Sequence, residues 1–177
     1  MIFLYLLLAA AVIALLFSLN ALWDTLRTGL PFVTTPAWAA AWLENNLQLN
    51  QRDIFFELGC GDARVSAALA KKYPSTKFVG IEIQWWPFLL AKWRTRKIVN
   101  VKIIRGDIFK HDLSPATYVY GFYITNFVDK LAPYLQKVMR PGTTVVSYGF
   151  PLPGWQIDQQ IENPTEQTKS RLLFYRR

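Results

Sequence analysis

Residues 2–23 restrict this chain more than any other feature: 20 of these 22 positions are apolar, interrupted by Ser18 and Asn20, and none is charged. As a helix rising 1.5 Å per residue the run spans about 33 Å, enough for a hydrocarbon core of about 30 Å. No basic residue precedes it and its apolar stretch exceeds a secretory core, while Trp23 stands where an interfacial aromatic belongs. An uncleaved single-pass anchor is therefore expected over a cleaved signal, with a buried helix of the globular part as a weaker alternative. Only Asp24 and Arg27 flank the run closely. The basic domain that follows favours the cytoplasmic side.

With that run set aside, residues 24–177 are roughly 46% hydrophobic, ordinary for a soluble domain. The 52% of the whole chain thus describes one membrane segment plus one domain. It excludes a disordered chain and a polytopic membrane protein, and the length of 177 residues excludes a two-domain enzyme with a separate substrate domain. Twenty Lys and Arg against 12 Asp and Glu leave a formal charge of +8. That charge suits lipid head groups, nucleic acid or an acidic protein surface, and equally a plain solubilising surface. A single cysteine, Cys60, and a single histidine, His111, exclude a disulfide framework and a Cys- or His-built metal centre, so no metal is expected.

Beyond the run, residues 28–37 carry two prolines and a glycine and read as an extended loop. Thr35 is the expected N-cap of a following helix, with Pro36 at its first position and Trp38, Trp42 and Leu43 on one side. Strand and helix patterns then alternate. Strands are expected at 53–58, 77–83, 101–105, 118–124 and 143–150, and helices at 63–72, 86–97 and 127–139. A last strand over 172–177 pairs with residues 156–161. This order predicts an α/β, Rossmann-like, doubly wound and mainly parallel sheet.

The first strand ends in Glu57-Leu-Gly-Cys-Gly-Asp-Ala-Arg64. Gly59 and Gly61 let the backbone turn sharply and approach a ligand at the N-terminus of the next helix. Glu82 ends the second strand 23 residues beyond Gly59, and Asp107 follows the third, so three acids are expected at the carboxyl ends of adjacent strands, where doubly wound folds bind ligands. Such a rim repels a pyrophosphate and suits a ligand with positive charge and diol oxygens. An NAD-binding protein is disfavoured on that ground and by the missing GxGxxG spacing.

The acid-x-Gly-x-Gly pattern, the acid ending strand two and Gly106-Asp107 together resemble class I, seven-β-strand, S-adenosylmethionine-dependent methyltransferases. Pro31-Phe-Val-Thr-Thr-Pro36, Gly80-Ile-Glu-Ile83 and Ser147-Tyr-Gly-Phe-Pro-Leu-Pro-Gly-Trp155 narrow the resemblance, which runs over residues 30–155, to small protein-lysine methyltransferases. That family has archaeal broad-specificity members and membrane-anchored mitochondrial members acting on nucleotide carriers or an ATP synthase rotor subunit. The resemblance implies S-adenosyl-L-methionine as cofactor. It implies Glu57, Gly59 and Gly61 around the methionine part, Glu82 on the ribose diol, Asp107 and Ile108 beside the adenine, and Thr34 and Thr35 closing over them. Glu57 stands where the family more often has Asp, and Ala63 where a third glycine is usual. The domain organisation expected is an anchor over 1–23, a linker and helix over 24–50, and the methyltransferase domain over 51–177.

Phe122, Tyr123 and Asn126, after the fourth strand, are the candidates for an aromatic substrate slot, which would suit methylammonium and lower a lysine pKa. The alternative is that these aromatics are strand core. No Asn-Pro-Pro-Tyr type motif follows that strand, so a nucleic-acid amino-methylase is not expected. The basic stretch Lys92-Trp-Arg-Thr-Arg-Lys97 reads as a lipid contact, a nucleic-acid track or a solvated helix face. The expected enzyme methylates a lysine of a protein at the membrane, its domain on the cytoplasmic or organelle-matrix side. A methyltransferase of small molecules, lipid or RNA, and a non-catalytic tethered binding module, are the alternatives.

Overall fold

The computed structural model describes all residues except 30, 124 and 164–169, and the side chains of 125 and 126 are likewise outside the description. The chain divides into two compact units, Met1–Phe32 and Val33–Arg177.

The first unit is dominated by helix α1, Ile2–Thr28, which is long and apolar enough to cross a membrane. Its polar side chains turn inward to the helix: the Ser18 and Thr25 hydroxyls donate to the Ala14 and Ala21 carbonyls, each at 2.9 Å. α1 runs five residues past Trp23. It closes on Gly29, whose φ of 68° is the left-handed conformation of a helix C-cap, with its N–H bonded to the Thr25 carbonyl.

In the second unit, helix α2 (Ala37–Asn46) precedes an alternation of β1 (Ile54–Leu58), α3 (Arg64–Lys72), β2 (Lys77–Glu82), α4 (Trp85–Thr95) and β3 (Val101–Arg105). After a short 3-10 turn at Ile108–Lys110 come β4 (Tyr118–Phe122), α5 (Thr125–Val138) and β5 (Thr144–Tyr148). Strands β6 (Gln159–Glu162) and β7 (Arg171–Arg176) complete a seven-stranded sheet of order β3-β2-β1-β4-β5-β7-β6. The first five strands are mutually parallel, and β7 enters antiparallel between β5 and β6. This is the doubly wound, mainly parallel sheet that the alternation predicts. The tail pairs with the 159–162 segment, as expected.

Successive residues of β1 point to opposite faces. Phe56 and Leu58 join Val128, Leu131, Ala132 and Leu135 of α5 on one side. Phe55 packs with Ala39 and Leu43 of α2 and Leu69 of α3 on the other. The buried α5 positions recur at three- and four-residue steps, the spacing of one helix face. Strand order reverses between β2 and β4 on either side of β1, which opens a crevice beyond their carboxyl ends.

One expected cap is corrected. Pro36, not Thr35, is the N-cap of α2, and no side chain caps that helix. The Thr35 hydroxyl is instead buried against the Tyr120 hydroxyl at 2.8 Å. A tertiary partner 85 residues away has taken the group that local pattern assigns to the helix end. Strands four and five also stop earlier than expected, at Phe122 and Tyr148. Gly149, at φ 94°, ends the latter.

Candidate active site

The loop from β1 to α3 turns on two left-handed glycines, Gly59 (φ 70°) and Gly61 (φ 55°). The Gly59 and Cys60 N–H groups both donate to the Ile81 carbonyl, at 2.9 and 3.0 Å, which holds the loop across the end of β2. Gly80 makes that approach possible. A Cβ there would lie 2.8 Å from Ile103 Cδ1 and 2.9 Å from the Cys60 sulfur. Cys60 is buried, and burial first, then the charges of Glu57 and Glu82, push its thiol well above its ordinary value. It is a packing residue, not a nucleophile.

Ala63 stands at the loop's last position in the left-handed region, φ 55° and ψ 33°, and is completely buried. Ala63 is the position where a third glycine is usual in the family that the loop resembles. The structure locates the penalty in the backbone, where an L side chain in this region costs on the order of 1 kcal/mol.

The three acids gather where the register puts them. Glu57 pairs in register with Gly80, and Glu82 with Arg105, so the carboxyl ends of β1, β2 and β3 share one edge. Glu57 accepts the Ser66 N–H at 3.0 Å. Burial drives its carboxyl up to about 7, hydrogen bonding from Ser66 opposes the rise, and the negative charges of Asp62 and Glu82 add to it. Glu82 is buried and accepts the Gly61 N–H at 2.9 Å through one oxygen and the Gln84 N–H at 2.8 Å through the other. It therefore shapes the glycine loop as well as facing the crevice edge. Asp107 caps the 3-10 turn by accepting the Phe109 N–H at 3.0 Å, and Ile108 is buried in the α5-side core.

The N-terminal loop joins the same region. The Thr35 carbonyl accepts a long 3.4 Å bond from Arg64, and its hydroxyl meets Tyr120, which pairs in register with Glu57. Thr34, its chain neighbour, is half-buried.

Phe122 and Tyr123 do not share one slot, because consecutive residues leave a strand end on opposite sides. The Phe122 ring meets Tyr148 edge-on at 4.7 Å, and Tyr148 in turn packs with Trp38 at 5.9 Å. Tyr123 packs with Phe127 at 5.8 Å on the other side. Its ring also folds over Gly121, where a Cβ would fall 2.0 Å from the phenol. The Tyr123 hydroxyl is buried without a hydrogen-bond partner. Burial, with Glu57 as the nearby negative charge, pushes it far above the ordinary tyrosine value. The Asn126 side chain lies outside the described residues.

A feature absent from the sequence reading is the clamp on Asp62. Its carboxylate takes Arg64 at 2.9 Å and Arg94 at 2.7 Å, and Arg94 Nε also donates to the Asp62 carbonyl at 2.9 Å. Burial would raise the Asp62 pKa, but the Arg64 hydrogen bond and the two guanidinium charges outweigh it and hold the group below the usual carboxylate range. In the sequence Arg94 belongs to the basic stretch Lys92–Lys97, which reads as a lipid contact, a nucleic-acid track or a solvated helix face. Its partner lies 32 residues away, and nothing local announces the pair.

These residues fit a cationic, diol-bearing cofactor. Glu57 is a carboxylate whose pKa burial first, then the charges of Asp62 and Glu82, raise to about 7, and a positive ligand beside it favours the ionised form. The Tyr123 hydroxyl is an orphaned polar atom beside it, and a Cβ added at Gly59 would meet nothing within 4 Å, so the space before the loop is open. Among the described residues no group of His, Cys, Asp and Glu is arranged to hold a metal ion.

Comparison with known proteins agrees with this chemistry. Residues 57–159 match the model of the ANTKMT methyltransferase domain. A protein-lysine N-methyltransferase of Saccharolobus islandicus (strain REY15A) is 35% identical over 135 residues, covering 75% of this chain and 84% of that protein. An adenine nucleotide translocase lysine N-methyltransferase of Mus musculus is 32% identical over 136 residues, 74% of this chain and 58% of its own length. Among solved structures, an RNA methyltransferase from Salinibacter ruber in complex with S-adenosyl-L-homocysteine superposes with a TM-score of 0.73 at 26% identity. It covers 81% of this chain and 93% of that one.

Proposed function

Because the chain belongs to the ANTKMT methyltransferase family, we propose that this enzyme transfers a methyl group from S-adenosylmethionine to lysine side chains of a membrane protein or a protein held at a membrane. The observation that carries the reading is the buried Glu57 within the acidic rim around the glycine loop, a site whose charge calls for a cationic ligand. When bound, the cofactor supplies an electrophilic methyl group on a positively charged sulfur. The chain supplies position and electrostatics, which is most of what an in-line displacement requires.

Glu57, with Gly59 and Gly61, holds the charged methionine end. Glu82 takes the ribose hydroxyls, and Asp107 with Ile108 borders the adenine. Thr34 and Thr35 belong to the loop that closes the site, braced by Tyr120 and Arg64. The acceptor lysine must be neutral to attack, and an apolar aromatic entrance favours that form by desolvating the ammonium. Tyr123 is the better placed of the aromatic candidates, since its unpartnered hydroxyl is free to meet the incoming amine. Phe122 lines the opposite side with Tyr148 and Trp38, and Asn126 remains a candidate at the start of α5. α1 serves as a single-pass anchor, supported by its length and uncharged composition, and the domain faces the cytoplasm or matrix where the cofactor is kept.

Mass spectrometry of methyl-lysines in membranes with and without the protein tests the substrate class. The expected result is a set of sites lost with the protein, and no change in any membrane protein refutes it. Glu82→Ala should weaken S-adenosylmethionine binding in titration calorimetry by at least tenfold, and unchanged affinity removes the ribose assignment. A second reading, RNA as acceptor, is supported by the likeness to the Salinibacter ruber enzyme. Labelled methyl groups sorted into protein, lipid and RNA fractions decide between the two.

A further inference from the structure

The charge of the chain is concentrated in one place. From Ile83 to Gly106 there are six Lys and Arg and no Asp or Glu. The segment is α4, the turn after it, and β3, and α4 packs inward through Pro87, Ala91 and Thr95. Its outward side is aromatic. Leu89 and Trp93 are four residues apart and exposed, Trp93 by 65%, and Trp85 extends the same stripe one turn earlier. Val99, just beyond the helix, is wholly exposed. Cations surround these side chains: Lys92 and Lys97 are exposed, and the Arg96 guanidinium lies 4.4 Å over the Trp93 ring. Arg96 and Lys97 also line a shallow groove with Lys71, at the foot of α3. Arg94 is engaged with Asp62 and does not belong to this set.

An exposed indole and aliphatic side chains on a helix rimmed by Lys and Arg, with no acid among them, is the composition of a helix lying in a lipid head-group layer. A nucleic-acid track needs cations too, but gains nothing from Leu89 and Val99, and Trp93 already has a guanidinium over its ring. We propose that the outer face of α4 and its following turn, centred on Leu89, Trp93 and Val99 with Lys92, Arg96 and Lys97, rests on an anionic bilayer surface. This rests on the anchor reading only for its proximity to lipid, because the face's own chemistry does not depend on α1. Since α4 packs along β2 and β3, contact through this face lays the sheet against the membrane and opens the crevice along the bilayer plane. Lysines close to that surface are the ones within reach.

The test uses the full chain with Val99→Cys carrying an environment-sensitive fluorophore; native Cys60 is buried and resists labelling. The chain is reconstituted in bilayers of phosphatidylcholine alone or with phosphatidylglycerol. The expected result is a blue shift and protection from an aqueous quencher on adding phosphatidylglycerol. The Lys92→Gln, Arg96→Gln, Lys97→Gln triple variant should lose that protection by about tenfold or more, since each cation near an anionic surface contributes separately. Unchanged S-adenosylmethionine binding by the triple variant shows that it is folded. A label equally open to quencher in both lipids overturns the proposal. So does salt-sensitive binding of a single-stranded oligonucleotide that is lost in the triple variant while the label stays put. Alkaline carbonate extraction reports on α1 independently: release of the chain removes the anchor reading and leaves the lipid response of position 99 to be judged alone.

Discussion

Glu57 is held in a state that opposes folding at neutral pH. Its folded pKa of about 7 exceeds the ordinary value of 4.5, so between those limits the native state binds more protons than the unfolded one. Stability therefore falls as pH rises through that window, by about 3 kcal/mol in all. Glu57→Gln should melt higher than the parent at pH 8 and nearly equal to it at pH 4.5, while binding S-adenosylmethionine much more weakly. Calorimetric melts at both pH values, with a binding titration, check this, and equal melts at pH 8 would contradict it. Ala63 stores a smaller strain. Ala63→Gly at φ 55° should change stability by less than about 0.5 kcal/mol in urea unfolding, because relief of the left-handed penalty is largely offset by the added freedom of the unfolded chain. The sequence marks both positions, as an acid and an alanine in a glycine-rich loop. The acidic rim around Glu57 is also legible, since Asp62 lies in the same loop and Glu82 ends the next strand; what the sequence does not show is the complete burial that drives the Glu57 carboxyl up.

At the scale of elements, the site is held by ties between neighbours in space. Arg94 on α4 joins the β1–α3 loop through Asp62, and Arg64 joins the same loop to the Thr35 strand of chain. Both guanidinium groups are about two-fifths exposed, so solvent screens part of the attraction. Arg94→Gln should cost about 1 kcal/mol by urea midpoint, and the loss should shrink in high salt; a salt-independent loss would assign it to packing instead. Strand and helix positions were legible because apolar spacing and breakers are local. The cap of α2 was not, since Thr35 satisfies a buried tyrosine rather than its own helix. Phe122 and Tyr123 were legible as a pair in sequence. Their separation onto two sides follows from the strand end, which the sequence places two residues too late.

For the whole molecule, the division into Met1–Phe32 and Val33–Arg177 predicts that the two units act separately. A chain of residues 33–177 should unfold in one cooperative transition and bind S-adenosylmethionine within about twofold of the full chain, yet leave vesicles on carbonate washing. Non-cooperative melting of that fragment would show that α1 contributes to the fold. The +8 charge, unassigned by composition, acquires part of its location: six of the 20 Lys and Arg lie between Ile83 and Gly106 with no acid among them. By itself the sequence determined that the chain has one long apolar helix, an alternating α/β domain, a glycine turn after the first strand and an acid at each of three strand ends. These follow from the periodicity and stereochemistry of neighbouring residues. Tertiary structure alone decided which acids lose their charge, which cation clamps the loop, which hydroxyl stays unpartnered and which face of α4 remains outside. Each of those outcomes depends on desolvation and on the approach of groups tens of residues apart, and neither is written in local order.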